Sequence, residues 1–195
     1  MDDVTAFILA GGKSTRMGTD KALLAWRRRT LLEASLDLVR ALTREVLIVG
    51  DRDKLSSYGP VVEDMFRERG PLAGIHAALR ASATELNLVL AVDLPFVELK
   101  FLKYLLSQAR ATNALVTLPR TGDGWQPLCA VYRRAFADLA EQSLRQGKNK
   151  IDALFLPSAT RVIEDSELAR LGFSQEMFRN LNTPKDLEAA SRQHL

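Results

Sequence analysis

The stretch VTAFILAGGKSTRMGTDK, residues 4–21, joins a run of apolar side chains to a loop rich in glycine and positive charge. Residues 4–10 are almost all apolar and have the length of one strand. Apolar residues at successive positions are typical of a strand that is covered on both faces, as in a parallel sheet. The pattern therefore predicts a buried strand that ends at a ligand-binding loop.

Apolar runs of similar length recur at residues 45–50, 86–92 and 113–118. Segments with helical spacing separate them. Thr30 and Glu33 form a capping-box pattern before one helix, and Pro71 stands where the first turn of another helix would begin. The alternation predicts an α/β fold with a single doubly wound, mostly parallel sheet and helices on both faces.

The chain of 195 residues has the length of one domain, so we expect a single domain over residues 1–195. The alternation weakens after Pro119, where a turn pattern at residues 121–124 precedes one more strand at residues 128–132. In doubly wound sheets, ligands lie beyond the carboxyl ends of the strands. We expect the C-terminal third to form a lid or a second substrate site.

Composition and charge argue against several classes of protein. A formal net charge of +3 is too small to predict nucleic-acid binding, and no run approaches the roughly 18 apolar residues of a membrane span. The N-terminus shows no secretion signal. The single cysteine, Cys129, excludes an internal disulfide and a cysteine-based metal cluster. We therefore expect a cytoplasmic protein without a membrane or nucleic-acid partner.

The loop at residues 11–21 combines several kinds of phosphate-binding group. Adjacent Gly11 and Gly12 let the backbone approach a ligand and direct N–H groups at it. Arg16 adds a fork-shaped guanidinium and Lys21 a point charge, and a triphosphate suits both. The alternative is a simple strand-to-helix turn with surface charges. Three glycines, one arginine and two lysines within eleven residues favour the phosphate site.

Two better-known glycine motifs do not fit this loop. Residues 12–14 look like the end of a P-loop, but the first glycine of that motif would fall on Phe7, inside the predicted strand. The Gly-x-Gly-x-x-Gly pattern of dinucleotide-binding folds does not match the spacing either. A P-loop ATPase or GTPase is therefore disfavoured.

Two aspartates are candidate ligands for a metal ion or a nucleoside. Asp93 directly follows the run at residues 86–92, so its carboxylate falls on the ligand side of the sheet. Mg²⁺ prefers one or two carboxylates together with phosphate oxygens and waters, which makes Asp93 the predicted metal ligand. Asp93 could also simply begin a turn or cap the next helix. Asp64 precedes a glycine segment that opens a helix, and it could bind a base or ribose.

Taken together, these segments resemble the molybdenum cofactor guanylyltransferases (MobA-type), a branch of the wider nucleotidyltransferase group. The matching motifs come in the family's order and cover nearly the whole chain. They are LAGGKSTRMGTDK at residues 9–21, GPLAG at 70–74, DLPF at 93–96, QPLCAVY at 126–132 and NLNTP at 180–184. The wider group shares the first motif, whereas the closing Asn-x-Asn-Thr-Pro narrows the resemblance to this branch.

The resemblance implies a Rossmann-like nucleotidyltransferase fold and one reaction. The terminal phosphate of molybdenum-loaded molybdopterin attacks the α-phosphorus of GTP, pyrophosphate leaves, and the guanine dinucleotide cofactor remains. About residues 1–120 would bind the nucleotide and about residues 121–195 the pterin acceptor. The implied partners are GTP, molybdopterin and, downstream, molybdoenzyme apo-proteins or their chaperones.

The resemblance also implies roles for individual residues. Arg16, Lys21 and Asp93 would be catalytic, with Mg²⁺ held by Asp93. The residues that would contact the nucleotide or its metal are Leu9, Ala10, Gly11, Gly12, Lys21, Asp64 and Asp93. Those that would face the pterin are Gln126, Asn180 and Asn182.

The chain departs from the family pattern at two places. Some members carry an asparagine that contacts the nucleoside at the end of the second strand, where this chain reads IVGD at residues 48–51. Many members have a glycine turn where this chain reads WRRR at residues 26–29. The first departure bears on guanine selection, and the second on a surface turn.

Two alternatives stay open. A sister enzyme would use CTP with molybdopterin, or CTP or UTP with a sugar or polyol phosphate. The paired Gly11 and Gly12 favour GTP, because many cytidylyl relatives read Ala-Ala-Gly there. A non-catalytic carrier would bind nucleotide or pterin without turnover. The set of Arg16, Lys21 and Asp93 disfavours a carrier, because binding alone needs no metal-holding carboxylate.

Overall fold

The computed structural model describes residues 3–11, 20–66 and 68–181, together with residues 186 and 190. Within these ranges the strands are β1 (Val4–Leu9), β2 (Ala25–Trp26), β3 (Arg29–Thr30), β4 (Val46–Val49), β5 (Val61–Val62), β6 (Leu86–Ala91), β7 (Val116–Thr121), β8 (Gly124–Trp125), β9 (Cys129–Arg133) and β10 (Thr160–Glu164). The α-helices of the same ranges are α1 (Leu31–Arg40), α2 (Arg52–Leu55), α3 (Pro71–Ala81), α4 (Leu99–Arg110), α5 (Phe136–Arg145) and α6 (Asp165–Arg170). Short 3₁₀ helices cover Lys21–Leu23, Ile151–Leu154, Pro157–Ala159 and Gln175–Phe178.

One mixed sheet forms the centre of the fold. Its strands follow the order β10, β7, β9, β6, β1, β4, β5, and β8 pairs with β7. The parallel pairs are β1 with β4 and β6, β4 with β5, and β7 with β10, whereas β9 is antiparallel to both β6 and β7. The predicted α/β class with a mostly parallel sheet is confirmed. The five predicted strands correspond to β1, β4, β6, β7 and β9.

The side chains of β1 alternate between two hydrophobic layers, one on each face of the sheet. Ala6 and Ile8 belong to the layer that contains α1 and α4, and Phe7 and Leu9 belong to the layer that contains α3 and α5. Successive residues of a strand point to opposite faces. Apolar residues on both faces of β1 therefore follow from helices on both sides of the sheet, as the sequence predicts.

Two helices begin where the sequence predicts. The Thr30 hydroxyl accepts a hydrogen bond from the Glu33 N–H at 3.1 Å, and the Glu33 carboxylate accepts one from the Thr30 N–H at 2.7 Å, which completes the capping box of α1. Helix α3 begins at Pro71, and Gly70 before it has a φ of +73°. Glycine adopts this conformation readily because it has no Cβ. These local signals set where α1 and α3 begin.

A short hairpin of β2 and β3 precedes α1, and its two-residue turn consists of Arg27 and Arg28. Trp26 pairs with Arg29 across the turn, and the two turn residues have φ values of 49° and 64°. The common two-residue hairpin turn requires positive φ at both positions, which favours glycine or asparagine. The chain therefore holds two arginines in the left-handed region, where many members of the resembled family carry glycine.

Candidate active site

The carboxyl ends of three neighbouring strands lie side by side. Leu9 at the end of β1 is in register with Val49 at the end of β4 and with Ala91 at the end of β6. The segments after these strands carry Gly11, Gly50 and Asp93, and they leave the sheet at the same edge. This is the edge at which doubly wound sheets bind ligands.

Backbone hydrogen bonds fix the start of the loop after β1. The N–H groups of Ala10 and Gly11 both donate to the Val49 carbonyl, at 2.9 and 3.0 Å. The Leu9 carbonyl accepts from the Val92 N–H at 3.1 Å. Leu9, Ala10 and Gly11 are thereby held between the ends of β4 and β6. Their contact with a nucleotide stays a prediction.

Gly50, at the end of β4, has no room for a side chain. A Cβ there would lie 2.7 Å from Leu55 Cδ1 and 3.3 Å from the Gly11 N atom. A Cβ on Gly11 would lie 3.4 Å from the Gly50 Cα. The two backbones approach each other closely, and this packing is a physical reason for glycine at position 50.

Lys21 and Asp93 meet at this edge. Asp20 caps the 3₁₀ helix that begins with Lys21, because its carboxylate accepts from the Ala22 N–H at 3.1 Å. The Lys21 Nζ atom lies 2.6 Å from Asp93 Oδ2, and the two side chains are 18% and 21% exposed. The fold therefore brings the predicted phosphate-binding lysine into contact with the predicted metal ligand, in a partly buried pair that solvent can still reach.

Three of the predicted site residues, Gly12, Arg16 and Asn182, lie outside the described residues. Their roles stay predictions from the sequence. Gly12 and Arg16 belong to the chain segment between Gly11 and Asp20, whose two ends both stand at the carboxyl edge described above.

Asp64 follows β5 and shapes the turn after it. Its Oδ1 atom accepts from the Phe66 N–H at 2.7 Å. Partial burial raises the pKa of the Asp64 carboxyl above its ordinary value, while the hydrogen bond from Phe66 acts in the opposite direction. Because β5 is parallel to β4, with Val62 in register with Val49, Asp64 also lies beyond a carboxyl end of the sheet. A nucleoside contact by Asp64 stays a prediction.

The C-terminal segment crosses the same edge. The Leu181 N–H donates to the Asp93 carbonyl at 3.0 Å, and Leu181 itself is buried. Asn180, directly before it, is exposed. The structure thus brings one residue predicted for the pterin side next to the turn that carries Asp93.

Gln126 lies near the end of β6 as well. The predicted turn at residues 121–124 is the hairpin between β7 and β8, and the Gln126 Nε2 atom donates to Thr121 Oγ1 at 3.1 Å. Two residues further, the Leu128 carbonyl accepts from the Ala91 N–H at 2.8 Å. Gln126 is therefore held beside the last residues of β6, from the side opposite to β1.

The sequence did not single out a stack of side chains beside Asp93. The rings of Trp26 and Phe96 meet edge to face with centroids 5.5 Å apart, and the guanidinium carbon of Arg179 lies 4.7 Å from the centroid of the Phe96 ring. Phe96 was visible in the sequence as the last residue of the DLPF motif. Arg179 had no comparable signal, because a single arginine beside Asn180 forms no pattern.

Two kinds of feature are absent from the described residues. Among the described residues, no group of three or more histidine, cysteine, aspartate or glutamate side chains is arranged to hold a metal ion. In the same part of the chain, no helix is long and apolar enough to cross a membrane.

Comparison with known proteins identifies a family. The profile of the family described as MobA-like NTP transferase domain matches residues 6–161. A protein of Pelotomaculum thermopropionicum, named "Probable molybdenum cofactor guanylyltransferase", is 35% identical over 97% of this chain and 93% of its own length. A protein of Desulfosudis oleivorans, named molybdenum cofactor guanylyltransferase, is 33% identical over 97% of this chain and 95% of its own length.

A solved structure has the same architecture over almost the whole chain. The crystal structure of molybdopterin-guanine dinucleotide biosynthesis protein A from Archaeoglobus fulgidus superposes with a TM-score of 0.81 at 28% identity. The superposition covers 97% of each chain.

Proposed function

The chain belongs to the MobA-like NTP transferase family, and from this premise we propose that it transfers GMP from GTP to the terminal phosphate of molybdenum-loaded molybdopterin. In this reaction an acceptor phosphate oxygen forms a bond to the α-phosphorus of GTP. The bond between the α-phosphorus and the oxygen that bridges to the β-phosphorus breaks. The products are the guanine dinucleotide cofactor and pyrophosphate, which carries away the electron pair of the broken bond.

The observation that carries the proposal is the contact of Lys21 with Asp93. Nucleotidyl transfer needs positive charge for the phosphates and a carboxylate for a metal, and little else from the protein, because such chemistry depends mostly on positioning and charge neutralisation. The fold brings one residue of each kind within 2.6 Å at the carboxyl edge, although they are 72 positions apart in the chain. We expect the Lys21 Nζ atom to bind the phosphates of the triphosphate, with Arg16 as a second cation.

The residues at this edge fit Mg²⁺ as a companion of the nucleotide. Asp93 supplies one partly exposed carboxylate, and the described residues hold no cluster of metal-ligating side chains around it. Mg²⁺ usually binds through one or two carboxylates and completes its shell with phosphate oxygens and water. When bound, Mg²⁺ would neutralise charge on the α-phosphate and on the leaving pyrophosphate. We propose Asp93 as the protein ligand.

Guanine selection is proposed to come from backbone and carboxylate oxygens. The N–H groups of Ala10 and Gly11 already donate to Val49, so a base that meets this segment would use carbonyl oxygens. Guanine carries N–H donors that such oxygens accept. Asp64, beyond the end of β5, would supply a further acceptor for the base or ribose.

The acceptor side is proposed to lie in about residues 121–195 and the nucleotide side in about residues 1–120, within one domain. The support is positional, because Gln126 and Asn180 both lie beside the end of β6 in the described part of the chain. Asn182 is proposed as their companion. We expect the product to pass to molybdoenzyme apo-proteins or their chaperones in the cytoplasm, where the single Cys129 would stay reduced.

Labelled GTP tests the proposed reaction directly. Purified protein would receive Mg²⁺, molybdenum-loaded molybdopterin and GTP that is labelled at either the α- or the γ-phosphorus. We expect the α-label in the pterin product and the γ-label in pyrophosphate. The γ-label in the pterin product would mean phosphoryl transfer instead.

Two variants serve this experiment. Asp93→Ala removes the proposed metal ligand and should abolish transfer of the α-label, whereas Asp37→Ala removes an exposed carboxylate of α1 and should leave it unchanged. Tight GTP binding by the wild-type protein without any transfer of label would support a carrier and contradict the proposal.

A further inference from the structure

Arg179 lies on a short exposed segment that is fixed at both ends. Phe178 before it packs edge to face against Phe101, with ring centroids 5.4 Å apart, and Leu181 after it is buried. Arg179 and Asn180, between these two anchors, are exposed. A segment that is anchored so closely on both sides holds its exposed side chains in a defined place.

The segment of residues 178–181 lies beside the turn that carries Asp93. The Leu181 N–H donates to the Asp93 carbonyl at 3.0 Å. Two residues span at most about 7 Å, so the Arg179 backbone lies close to the same turn. The Arg179 guanidinium lies over the ring of Phe96, at 4.7 Å from its centroid, and Phe96 is three residues beyond Asp93. The hydrogen bond of Leu181 and the contact of Arg179 with Phe96 therefore both place Arg179 beside the turn that carries Asp93.

The stacking leaves the guanidinium suited to bind an anion. A cation is attracted to the face of an aromatic ring. The N–H donors of a guanidinium lie in the plane of the guanidinium and point outward from it. One terminal nitrogen lies 3.2 Å from a carboxylate oxygen of Glu176, whose side chain is 73% exposed. Surface pairs of this kind contribute little energy and are screened by salt. A phosphate could therefore replace Glu176 as the partner of Arg179.

The reaction needs a cation on this side of the site. A phosphate monoester carries between one and two negative charges at neutral pH, and it must approach a triphosphate that is itself strongly negative. Lys21 is bonded to Asp93 and is proposed for the nucleotide. Arg179 stands on the segment of Asn180, the proposed acceptor side. Arginine also binds phosphate through two parallel N–H donors, which lysine cannot do.

We propose that Arg179, stacked on Phe96, binds the terminal phosphate of the acceptor and positions it for attack on the α-phosphorus. This role rests on the proposed function for the identity of the acceptor. Phe96 acts through Arg179, because its ring holds the guanidinium beside the turn that carries Asp93.

The test compares acceptor binding with GTP use in matched variants. Binding of molybdenum-loaded molybdopterin would be followed by equilibrium dialysis without nucleotide, and pyrophosphate release would give the KM values for acceptor and GTP. Arg179→Gln should raise the Kd and the KM for the acceptor by about tenfold or more, while the KM for GTP changes by less than about twofold. The Kd and the KM of Arg179→Lys for the acceptor should lie between those of Arg179→Gln and those of the wild type.

Two further variants separate binding from a structural role. Glu176→Gln removes the competing carboxylate and should tighten acceptor binding by about twofold. Arg134 is an exposed arginine at the opposite edge of the sheet, where its backbone N–H donates to the Glu85 carbonyl. Arg134→Gln should change neither acceptor binding nor the KM for GTP. Equal losses for acceptor and GTP in Arg179→Gln, or unchanged acceptor binding, would overturn the proposal.

The outcomes also distinguish this inference from the proposed function. A wild-type protein that binds molybdopterin but releases no pyrophosphate with GTP contradicts the proposed function, and Arg179 is then judged on binding alone. A wild-type protein that binds no molybdopterin contradicts both. An active wild type with an Arg179→Gln variant of normal acceptor KM contradicts only the role of Arg179.

Discussion

The Lys21 ammonium donates to the Asp93 carboxylate at 2.6 Å, across the carboxyl ends of β1 and β6. The pair joins the residue proposed to bind phosphates to the residue proposed to bind Mg²⁺. A metal ion that arrives without nucleotide must compete with the ammonium for the carboxylate. A metal that arrives with the triphosphate brings a new anionic partner for Lys21. The ion pair therefore favours binding of metal and nucleotide together.

Lys21→Ala should bind a metal ion more tightly when no nucleotide is present, because the competing cation is gone. We expect a gain of about twofold to fivefold, which corresponds to the energy of a partly exposed ion pair. Titration with Mn²⁺ followed by electron paramagnetic resonance measures it, and the exposed Lys103→Ala serves as the control. The same variant should use GTP less well, and its affinity for guanosine should change less than its affinity for GTP. Unchanged Mn²⁺ affinity would show that the pair does not compete with the metal.

Asp64→Asn should stabilise the fold while it weakens GTP binding. Burial raises the pKa of the Asp64 carboxyl in the folded protein, so the folded state binds this proton more tightly than the unfolded state does. The ionised Asp64 carboxylate therefore costs stability at pH values above its pKa in the folded protein. This cost shrinks as the pH falls through that pKa, and it is absent below the pKa of the same carboxyl in the unfolded chain. An asparagine oxygen can still accept from the Phe66 N–H.

The corresponding measurement is the Tm of both proteins as a function of pH. Asp64→Asn should have the higher Tm at neutral pH, and the difference should shrink in acid. Its Kd for GTP should rise by about tenfold or more if a charged hydrogen bond to the nucleoside is lost. A variant that gains stability and keeps its GTP affinity would leave Asp64 with only its role in the turn.

Gly50→Ala should destabilise the protein by about 1–3 kcal/mol, the usual cost of inserting a methyl group where none fits. The new Cβ would meet Leu55 Cδ1 at 2.7 Å and the Gly11 N atom at 3.3 Å. Gly122→Ala is the matched control, because the nearest heavy atom to its Cβ is Gln175 Oε1 at 3.9 Å. Urea unfolding of both variants gives the comparison. Equal free energies of unfolding would mean that the backbone at Gly50 yields easily.

Arg28→Gly should stabilise the protein, although glycine usually does the opposite. Arg28 has a φ of 64°, and a left-handed residue other than glycine costs about 1–2 kcal/mol. Part of this gain is offset, because glycine makes the unfolded chain more flexible. Arg29→Gly is the control and should destabilise, because Arg29 lies in β3 and pairs with Asp37. Thermal unfolding measures the effect of both substitutions. A lower Tm for Arg28→Gly than for the wild type would contradict the prediction that Arg28 is strained.

Local signals in the sequence predicted much of the fold. The apolar runs predicted β1, β4, β6, β7 and β9, because a strand covered on both faces is apolar at nearly every position. The Thr30 capping box and Pro71 predicted the starts of α1 and α3. The insertion of β9 between β6 and β7, antiparallel to both, was not predicted. Strand direction depends on pairing with distant segments, and the residues of β9 carry no mark of it.

The site, like the fold, has parts that local sequence patterns predicted and parts that they did not. Asp93 was predicted at the carboxyl edge because it directly follows an apolar run, and the structure places it beyond β6. Its contact with Lys21 and the approach of Gly50 to Gly11 depend on how separate strands align. The stack of Arg179 on Phe96 joins segments that are far apart in the chain. Such contacts leave no periodic pattern, so they emerge only from the tertiary structure.

The most direct test of the proposed function is pyrophosphate release with GTP, CTP, ATP and UTP in turn, in the presence of Mg²⁺ and molybdenum-loaded molybdopterin. We predict release with GTP alone, only when molybdopterin is present, and none from a folded Asp93→Ala variant. Release with CTP instead would keep the nucleotidyl transfer and overturn the guanine specificity. No release with any nucleotide, from a folded protein that binds GTP, would contradict the proposed reaction.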